Sequence, residues 1–323
     1  MRVSTVRDAT RALAAQIAEV VVGVEDVVEL LFAAVLVEGH VLLTDVPGVG
    51  KTTLARSVAR SLDLRFTRVQ CTPDLVPSDV TGVSMYDQRS QEFSYRPGPV
   101  MTNVLLVDEI NRATPRVQSS LLEAMQERQV TVDERTHALP RPFFVIATQN
   151  PIELEGTFPL PEAELDRFLM LLSLGYPDPS EEDTILVLHG EHRRAPEQLR
   201  PLLDAADLAA LAAEVNAVTI GPAVRGYIIE LIGATRGLPD LELGASPRAS
   251  LALYRASQAL AAIWGRDFVI PDDVKRLAVP VLRHRLFLTA DAEMRGKTTE
   301  ALVEQLLARV PVPAEDGARI AGA

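Results

Sequence analysis

The sequence predicts an α/β domain built on a parallel, helix-covered sheet, followed by an all-helical domain. Three observations lead there. Short apolar runs at 41–44, 66–70, 103–107, 143–147 and 168–173 alternate with helical or loop sequence, the pattern of a parallel sheet with helices on its faces. The first run passes through a Gly-rich turn into a segment where Leu54, Val58 and Leu62 recur four apart, so strand, turn and helix follow in that order. After Tyr176-Pro177-Asp178-Pro179-Ser180 the strand signals stop and helical periodicity remains. Domains are therefore expected at 1–176 and 177–310, with 311–323 a frayed tail.

Taken in order, residues 5–37 read as two helices separated by Val22-Gly23-Val24-Glu25-Asp26. Residues 79–100 form a polar, Gly-containing insertion ahead of the third strand. Residues 127–142 alternate as Gln129-Val130-Thr131-Val132-Asp133 before Pro140 and Pro142, which predicts a hairpin ahead of the fourth. Beyond the break, helices are expected at 180–191, 203–217, 222–236, 247–264, 272–284 and 298–309. Ser246-Pro247 supplies an N-cap followed by proline at the first helical position, and Pro271-Asp272-Asp273 repeats the device.

Composition narrows the class. A chain of 323 residues, 47% apolar and only 5% aromatic, can bury one large or two medium cores. Its formal charge of −12 argues against nucleic acid as the main partner, because neutralising phosphates takes clustered Lys and Arg. Cys71 is the only cysteine, so no intrachain disulfide forms and a reducing compartment is expected. Residues Met1 to Glu19 are charged throughout and hold no signal-peptide core. The most apolar stretch, Val27 to Val37, contains Glu29 and is too short to span a bilayer. A cytoplasmic protein with no direct membrane insertion is expected.

The turn after the first strand is Asp45-Val46-Pro47-Gly48-Val49-Gly50-Lys51-Thr52-Thr53. Strand, Gly-rich turn, Gly-Lys-Thr and helix form the order of a phosphate-binding loop. Its glycines let backbone N–H groups curl around phosphates, and the helix N-terminus adds the positive end of its dipole. Lys51 then reaches the β- and γ-phosphates of a nucleotide, and the Thr52 hydroxyl ligates Mg²⁺. Asp45 departs from the pattern, which has glycine there.

Asn103-Val104-Leu105-Leu106-Val107-Asp108-Glu109 ends a central strand in two carboxylates, at the edge where open α/β sheets bind ligands. Asp108 suits the Mg²⁺ shell, and Glu109 suits deprotonating an attacking water. Phe143 to Ala147 is another buried strand, continuing into Thr148-Gln149-Asn150-Pro151. Asn150 fits either a hydrogen bond to the γ-phosphate or water, or a strand-terminating Asn-Pro turn. Arg167 stands just before the last strand run. Arg248 lies in the first turn of the helix begun by Ser246-Pro247, where a cation opposes the dipole by about 0.3–1 kcal/mol. That position suits either an aimed anion contact or a surface salt bridge.

Together these residues resemble the MoxR family of AAA+ ATPases, over roughly Gln16 to Leu288. Residues 45–53 look like that family's phosphate loop, acidic first position included, and Val-Asp-Glu-Ile-Asn-Arg-Ala (107–113) resembles its Walker B segment. Ala-Thr-Gln-Asn-Pro (147–151) is similar to sensor 1, Leu-Pro-Glu-Ala-Glu-Leu-Asp-Arg-Phe (160–168) to the arginine-finger segment, and Gly-Ala-Ser-Pro-Arg-Ala (244–249) to sensor 2. The two insertions look like the helix-2 insert and pre-sensor-1 hairpin. The resemblance implies an AAA+ core followed by a helical lid, with ATP and Mg²⁺ as cofactors. It implies that Gly23, Pro47, Gly48, Val49, Gly50, Lys51, Thr52 and Thr53 hold nucleotide, and that Thr52 and Asp108 hold the metal. Glu109, Lys51, Asn150, Arg167 and Arg248 are then catalytic, Arg167 acting on a neighbour's ATP and Arg248 from the lid. It further implies a ring, a hexamer, doing chaperone-like work on partner proteins that carry von Willebrand factor A domains, in maturation or metal-cofactor insertion.

Two rivals are set against that reading. A nucleic-acid motor needs basic projecting hairpins, whereas 79–100 and 127–142 mix acidic with basic residues. A non-hydrolysing nucleotide-dependent scaffold would lack Glu109 or Arg167, and both are present. His189 and His192 at i, i+3 are read as a solvated helix face, Arg283-His284-Arg285 as dipole complementation or an oligomer contact, and Trp264 as packing. Arg112 suits a subunit or nucleotide contact or a local pair with Glu109 or Asp108.

Overall fold

The computed structural model describes residues 5–89, 91–150, 156–190 and 195–313, the side chains of 188–190 excepted. Pro151, His192, the side chain of His189 and the expected tail beyond 313 lie outside them. The chain divides into two compact units, Met1–Asn216 and Ala217–Ala323.

The first unit opens with α1 (Val6–Ala18) and α2 (Glu25–Leu36). Thr5 caps α1 by accepting from the Asp8 N–H, and the apolar stretch after Val27 becomes the buried body of α2. The remaining elements are β1 (Val41–Thr44), α3 (Lys51–Ser61), β2 (Phe66–Gln70), α4 (Pro77–Thr81), β3 (Gly82–Asp87), β4 (Glu92–Pro97), β5 (Val104–Asp108), α5 (Pro115–Glu127), β6 (Gln129–Val132), β7 (Arg135–Ala138), β8 (Phe144–Gln149), α6 (Glu162–Leu165), β9 (Met170–Leu172), α7 (Pro179–Gly190) and α8 (Ala205–Ala217). The five expected strands form one parallel sheet in the order β2-β5-β8-β1-β9.

Alternation along the central strands splits their side chains between two faces. Leu105 and Val107, Val145 and Ala147 face one core together with Val117, Leu121 and Met125 of α5. All are buried, and each large aliphatic among them contributes roughly 1.5–3 kcal/mol through removal from water. Asp108 and Thr148 fall on the opposite face at the C-terminal edge. β2 is an edge strand with only Val69 buried, which is why its sequence can carry Arg68 and Gln70.

The two insertions resolve into hairpins. The 79–100 segment is α4 followed by β3–β4, paired from Gly82↔Pro97 to Asp87↔Glu92. The 127–142 segment pairs β6 with β7 through a turn at Asp133 and Glu134, both at positive φ (48° and 66°), the geometry of a two-residue hairpin turn. Tyr95 of β4 stacks on His137 of β7 at 3.9 Å and joins the hairpins.

The first unit runs forty residues past the composition break at Tyr176. Hydrogen bonds hold the extra segment: Leu202 N–H to the Ser61 carbonyl (2.7 Å), Arg60 Nε to the Leu199 carbonyl (3.1 Å), Gln16 Nε2 to the Arg200 carbonyl (2.9 Å), and Val6 N–H to Glu214 Oε2 (3.3 Å). The break therefore marks the end of strand alternation, while the compact unit ends at Asn216.

The second unit contains α9 (Pro222–Thr235), β10 (Leu241–Leu243), α10 (Pro247–Ile263), α11 (Pro271–Leu282), β11 (Phe287–Leu288), α12 (Ala290–Met294) and α13 (Thr299–Arg309). Ser246 accepts from the Arg248 N–H at the start of α10, as the Ser-Pro pair predicts. Asp273 accepts from the Ile270 N–H at the start of α11. The expectation that strands stop after Tyr176 is corrected by the antiparallel pair β10–β11. Strands of three and two residues with a register shift are too short to leave a period-two signal. Among the described residues no helix is long and apolar enough to cross a membrane.

Candidate nucleotide site

The site begins where β1 hands the chain to α3. Gly48 and Gly50 take φ of 88° and 96°, left-handed values that a side chain resists. Gly50 is the N-cap of α3 and no side chain caps that helix, so its first N–H groups face the loop. Pro47 and Val49 shape the turn between them, and Thr52 and Thr53 occupy the first helical turn behind Lys51. A Cβ built on Gly48 meets nothing within 4 Å, so that side of the loop is open.

Lys51 curls back over the loop and donates to the carbonyls of Asp45 (2.7 Å) and Val46 (3.2 Å). Burial pushes its pKa below the ordinary lysine value, against the opposing pull of Asp45, Asp108 and Glu109. The lysine and both strand-end carboxylates thus share one electrostatic environment.

Asp45 is buried, and its carboxylate is a clasp. Oδ1 accepts from Ser173 Oγ (2.5 Å) and the Gly175 N–H (3.1 Å), and Oδ2 from the Leu174 N–H (2.9 Å). A glycine could not tie the loop to the chain leaving β9. That is the physical use of the acidic residue at this position.

Register places Gln70 of β2 beside Asp108 of β5, and Thr148 of β8 follows one step beyond the Val107–Ala147 pair. Thr148 Oγ1 donates to Asp108 Oδ1 (2.6 Å) and accepts from the Glu109 N–H (2.8 Å). Arg68 forks onto Asp108 Oδ2 through Nη2 (2.5 Å) and Nε (3.1 Å), and Nη2 also reaches Gln70 Oε1 (2.6 Å). Glu109 stands at φ 56° and its Oε2 accepts from Gln70 Nε2 (2.9 Å) and Arg112 Nη1 (3.1 Å). Of the alternatives for Arg112, the structure contains the local pair with Glu109. Behind them Cys71 is buried and its thiol is pushed up to about 12, first by burial and then by Asp108 and Glu109.

The hydrogen bonds named above for this cluster do not include the other candidates. Asn150 is buried at the end of β8. Arg167 follows α6 beside Glu164; Arg167 Nε and Glu164 Oε2 are buried without a hydrogen-bond partner among the described residues. Burial raises the Glu164 pKa, opposed by Arg167. The Gly23 backbone lies against the Glu181 carboxylate, which accepts from the Asp178 N–H at 2.8 Å. Arg248 belongs to the second unit, at the start of α10. Sequence reasoning gave no role to Arg68, Gln70 and Thr148. The available signal was the alternation Arg68-Val69-Gln70, which points two polar side chains to one face.

Residues 40–170 match the model of the ATPase family associated with various cellular activities (AAA), and residues 233–306 match the AAA lid domain. The chain is 44% identical to Chaperone MoxR1 of Mycobacterium tuberculosis, over 92% of this chain and 81% of that one. The chain belongs to the MoxR family of AAA+ ATPases. It is also 50% identical to YeaC of Bacillus subtilis over 93% of both chains. A solved structure from Cytophaga hutchinsonii aligns with a TM-score of 0.89 at 39% identity, covering 96% of each chain. For a MoxR-family protein the donor set suits Mg²⁺, which takes one or two carboxylates plus substrate phosphates rather than an all-protein cage. Asp108 ends β5 and Thr52 lies in the first turn of α3, each with an oxygen of the kind Mg²⁺ accepts, and among the described residues there is no cluster of three or more His, Cys, Asp or Glu for a metal.

Proposed function

We propose that this chain hydrolyses ATP with Mg²⁺ and uses the energy to remodel partner proteins as a subunit of a ring. One observation carries the reading: Lys51 curls back over a loop whose Gly48 and Gly50 stand at positive φ, at an uncapped helix N-terminus. The loop of Pro47, Gly48, Val49 and Gly50, with Thr53 behind it, wraps the phosphates, Gly23 lies beside the adenine, and Lys51 exchanges its loop carbonyls for phosphate oxygens. Thr52 and Asp108 hold the Mg²⁺, which when bound neutralises charge on the phosphates. Glu109 takes the proton of the attacking water, and Asn150 orients that water. Arg167 serves a neighbour's ATP and Arg248 acts from the lid.

The working form is a hexamer, placed in the cytoplasm, and its partner a protein with a von Willebrand factor A domain. A polypeptide is favoured over nucleic acid because the β3–β4 hairpin balances Asp87 and Glu92 with Arg89 and Arg96 while exposing Met85, Tyr86 and Phe93.

The test pairs two variants. Glu109→Gln keeps ATP binding and loses turnover. Wild type at about a hundred times its dissociation constant gains about 2.7 kcal/mol from ATP in a melt, and Lys51→Ala loses most of that gain. Wild-type turnover in Glu109→Gln, or an equal ATP shift in wild type and Lys51→Ala, overturns the reading.

A further inference from the structure

Asp108 is engaged on both oxygens. Thr148 holds Oδ1, and the Arg68 guanidinium grips Oδ2 by two N–H groups. The Asp108 side chain is 13% exposed and that of Arg68 is 42% exposed, so the carboxylate is fixed and the guanidinium has a route to solvent. Arg68 sits on an edge strand, and its second anchor, Gln70 Oε1 at 2.6 Å, does not depend on Asp108. We propose that Arg68 competes with the site's divalent cation for Asp108, so that the metal binds as the guanidinium leaves Oδ2. The inference rests on the Mg²⁺-nucleotide reading given above.

The physical argument is one of like charge. Mg²⁺ held by a carboxylate oxygen lies about 2.1 Å from it, and a guanidinium on the same oxygen then stands within a few ångströms of a divalent ion. In a partly buried site that repulsion is only weakly screened. Thr148 is neutral and opposes no cation, so it keeps Asp108 oriented while Arg68 moves. Arg68 thereby sets how much free metal the site demands, and it holds Asp108 neutralised next to Glu109 until metal arrives. Arg68 acts through Asp108 and is a positioning residue.

The opposite role is equally concrete. If Arg68 only supports Asp108, its removal weakens metal binding. The sign of the change therefore decides. A fluorescent, non-hydrolysable ATP analogue is titrated into the full chain at a series of free Mg²⁺ concentrations. The readout is the free Mg²⁺ that gives half of the metal-dependent gain in affinity. R68Q is expected to lower that midpoint about ten-fold or more, through loss of a full charge at the ligand oxygen. R68K keeps the charge without the two-pronged contact and is expected to fall between R68Q and wild type. R56Q, which removes a surface cation paired with Glu197, is expected to match wild type. Melting without nucleotide confirms that each variant folds, and R68K carries the test if R68Q does not. A midpoint at or above wild type in either Arg68 variant overturns the proposal, as does an equal drop in R56Q. A wild-type affinity that ignores Mg²⁺ overturns the nucleotide-site reading itself, and the Arg68 proposal with it.

Discussion

Replacing Asp45 by Asn is the most direct probe of how the phosphate loop is held. The carboxylate accepts three hydrogen bonds in a buried setting, two on Oδ1 and one on Oδ2. With the amide oxygen in the Oδ1 position, the bonds from Ser173 and Gly175 persist but lose their charge assistance, roughly half their strength. The amide N–H₂ then faces the Leu174 N–H, leaving a buried donor without an acceptor at about 1–3 kcal/mol. The sum is a destabilisation of about 2–4 kcal/mol. For a unit of the first one's size this corresponds to a fall in melting temperature of about 5–15 °C. Differential scanning calorimetry of the first unit's transition measures it. Ser173→Ala removes one of the same bonds, so the double variant should lose less than the sum of the single losses. A D45N melt within about 1 °C of wild type, or strict additivity with S173A, refutes the clasp.

Two further outcomes follow from named contacts. His40 accepts the Val145 N–H on Nδ1 and places Nε2 3.0 Å from the Met125 carbonyl, an arrangement that fits the neutral ring, and burial pushes its pKa down to about 4. Because the folded value lies below the unfolded 6.5, His40's contribution is present above that pH and is lost as pH falls toward 4. The stability gap between wild type and His40→Gln should therefore narrow by up to about 3 kcal/mol from pH 7 to pH 4, and parallel pH profiles would count against it. Mixed rings test the Arg167 assignment. Arg167→Ala and Glu109→Gln subunits are each expected to be inactive, while mixtures that exchange subunits regain phosphate release at intermediate ratios, since a trans arginine is worth roughly 10³–10⁵ in rate. Verified exchange with no recovery removes Arg167 from that role.

What the sequence determined by itself is what depends on neighbours in the chain. Short apolar runs at 41–44 and 66–70 became β1 and β2 unchanged, because a brief run bounded by turn and helical sequence is itself the local signal of a strand. Ser246-Pro247 started α10 where the cap rule puts it, and the turn at Asp133-Glu134 closed the expected hairpin. The strand-Gly-turn-helix order and the Asp-Glu at a strand end likewise gave Lys51, Asp108 and Glu109 as candidates. Only the tertiary structure decided what those side chains touch. The order β2-β5-β8-β1-β9 sets Gln70 beside Asp108 and Thr148 across from it, although these positions lie about forty residues apart in sequence. Asp45 meets Ser173, Leu174 and Gly175 across 128 to 130 residues, so its role leaves no local periodicity to read. The compact first unit extends to Asn216 for the same reason: hydrogen bonds from α1 and α3, laid down at the start of the chain, capture a segment whose own composition says only that it is helical.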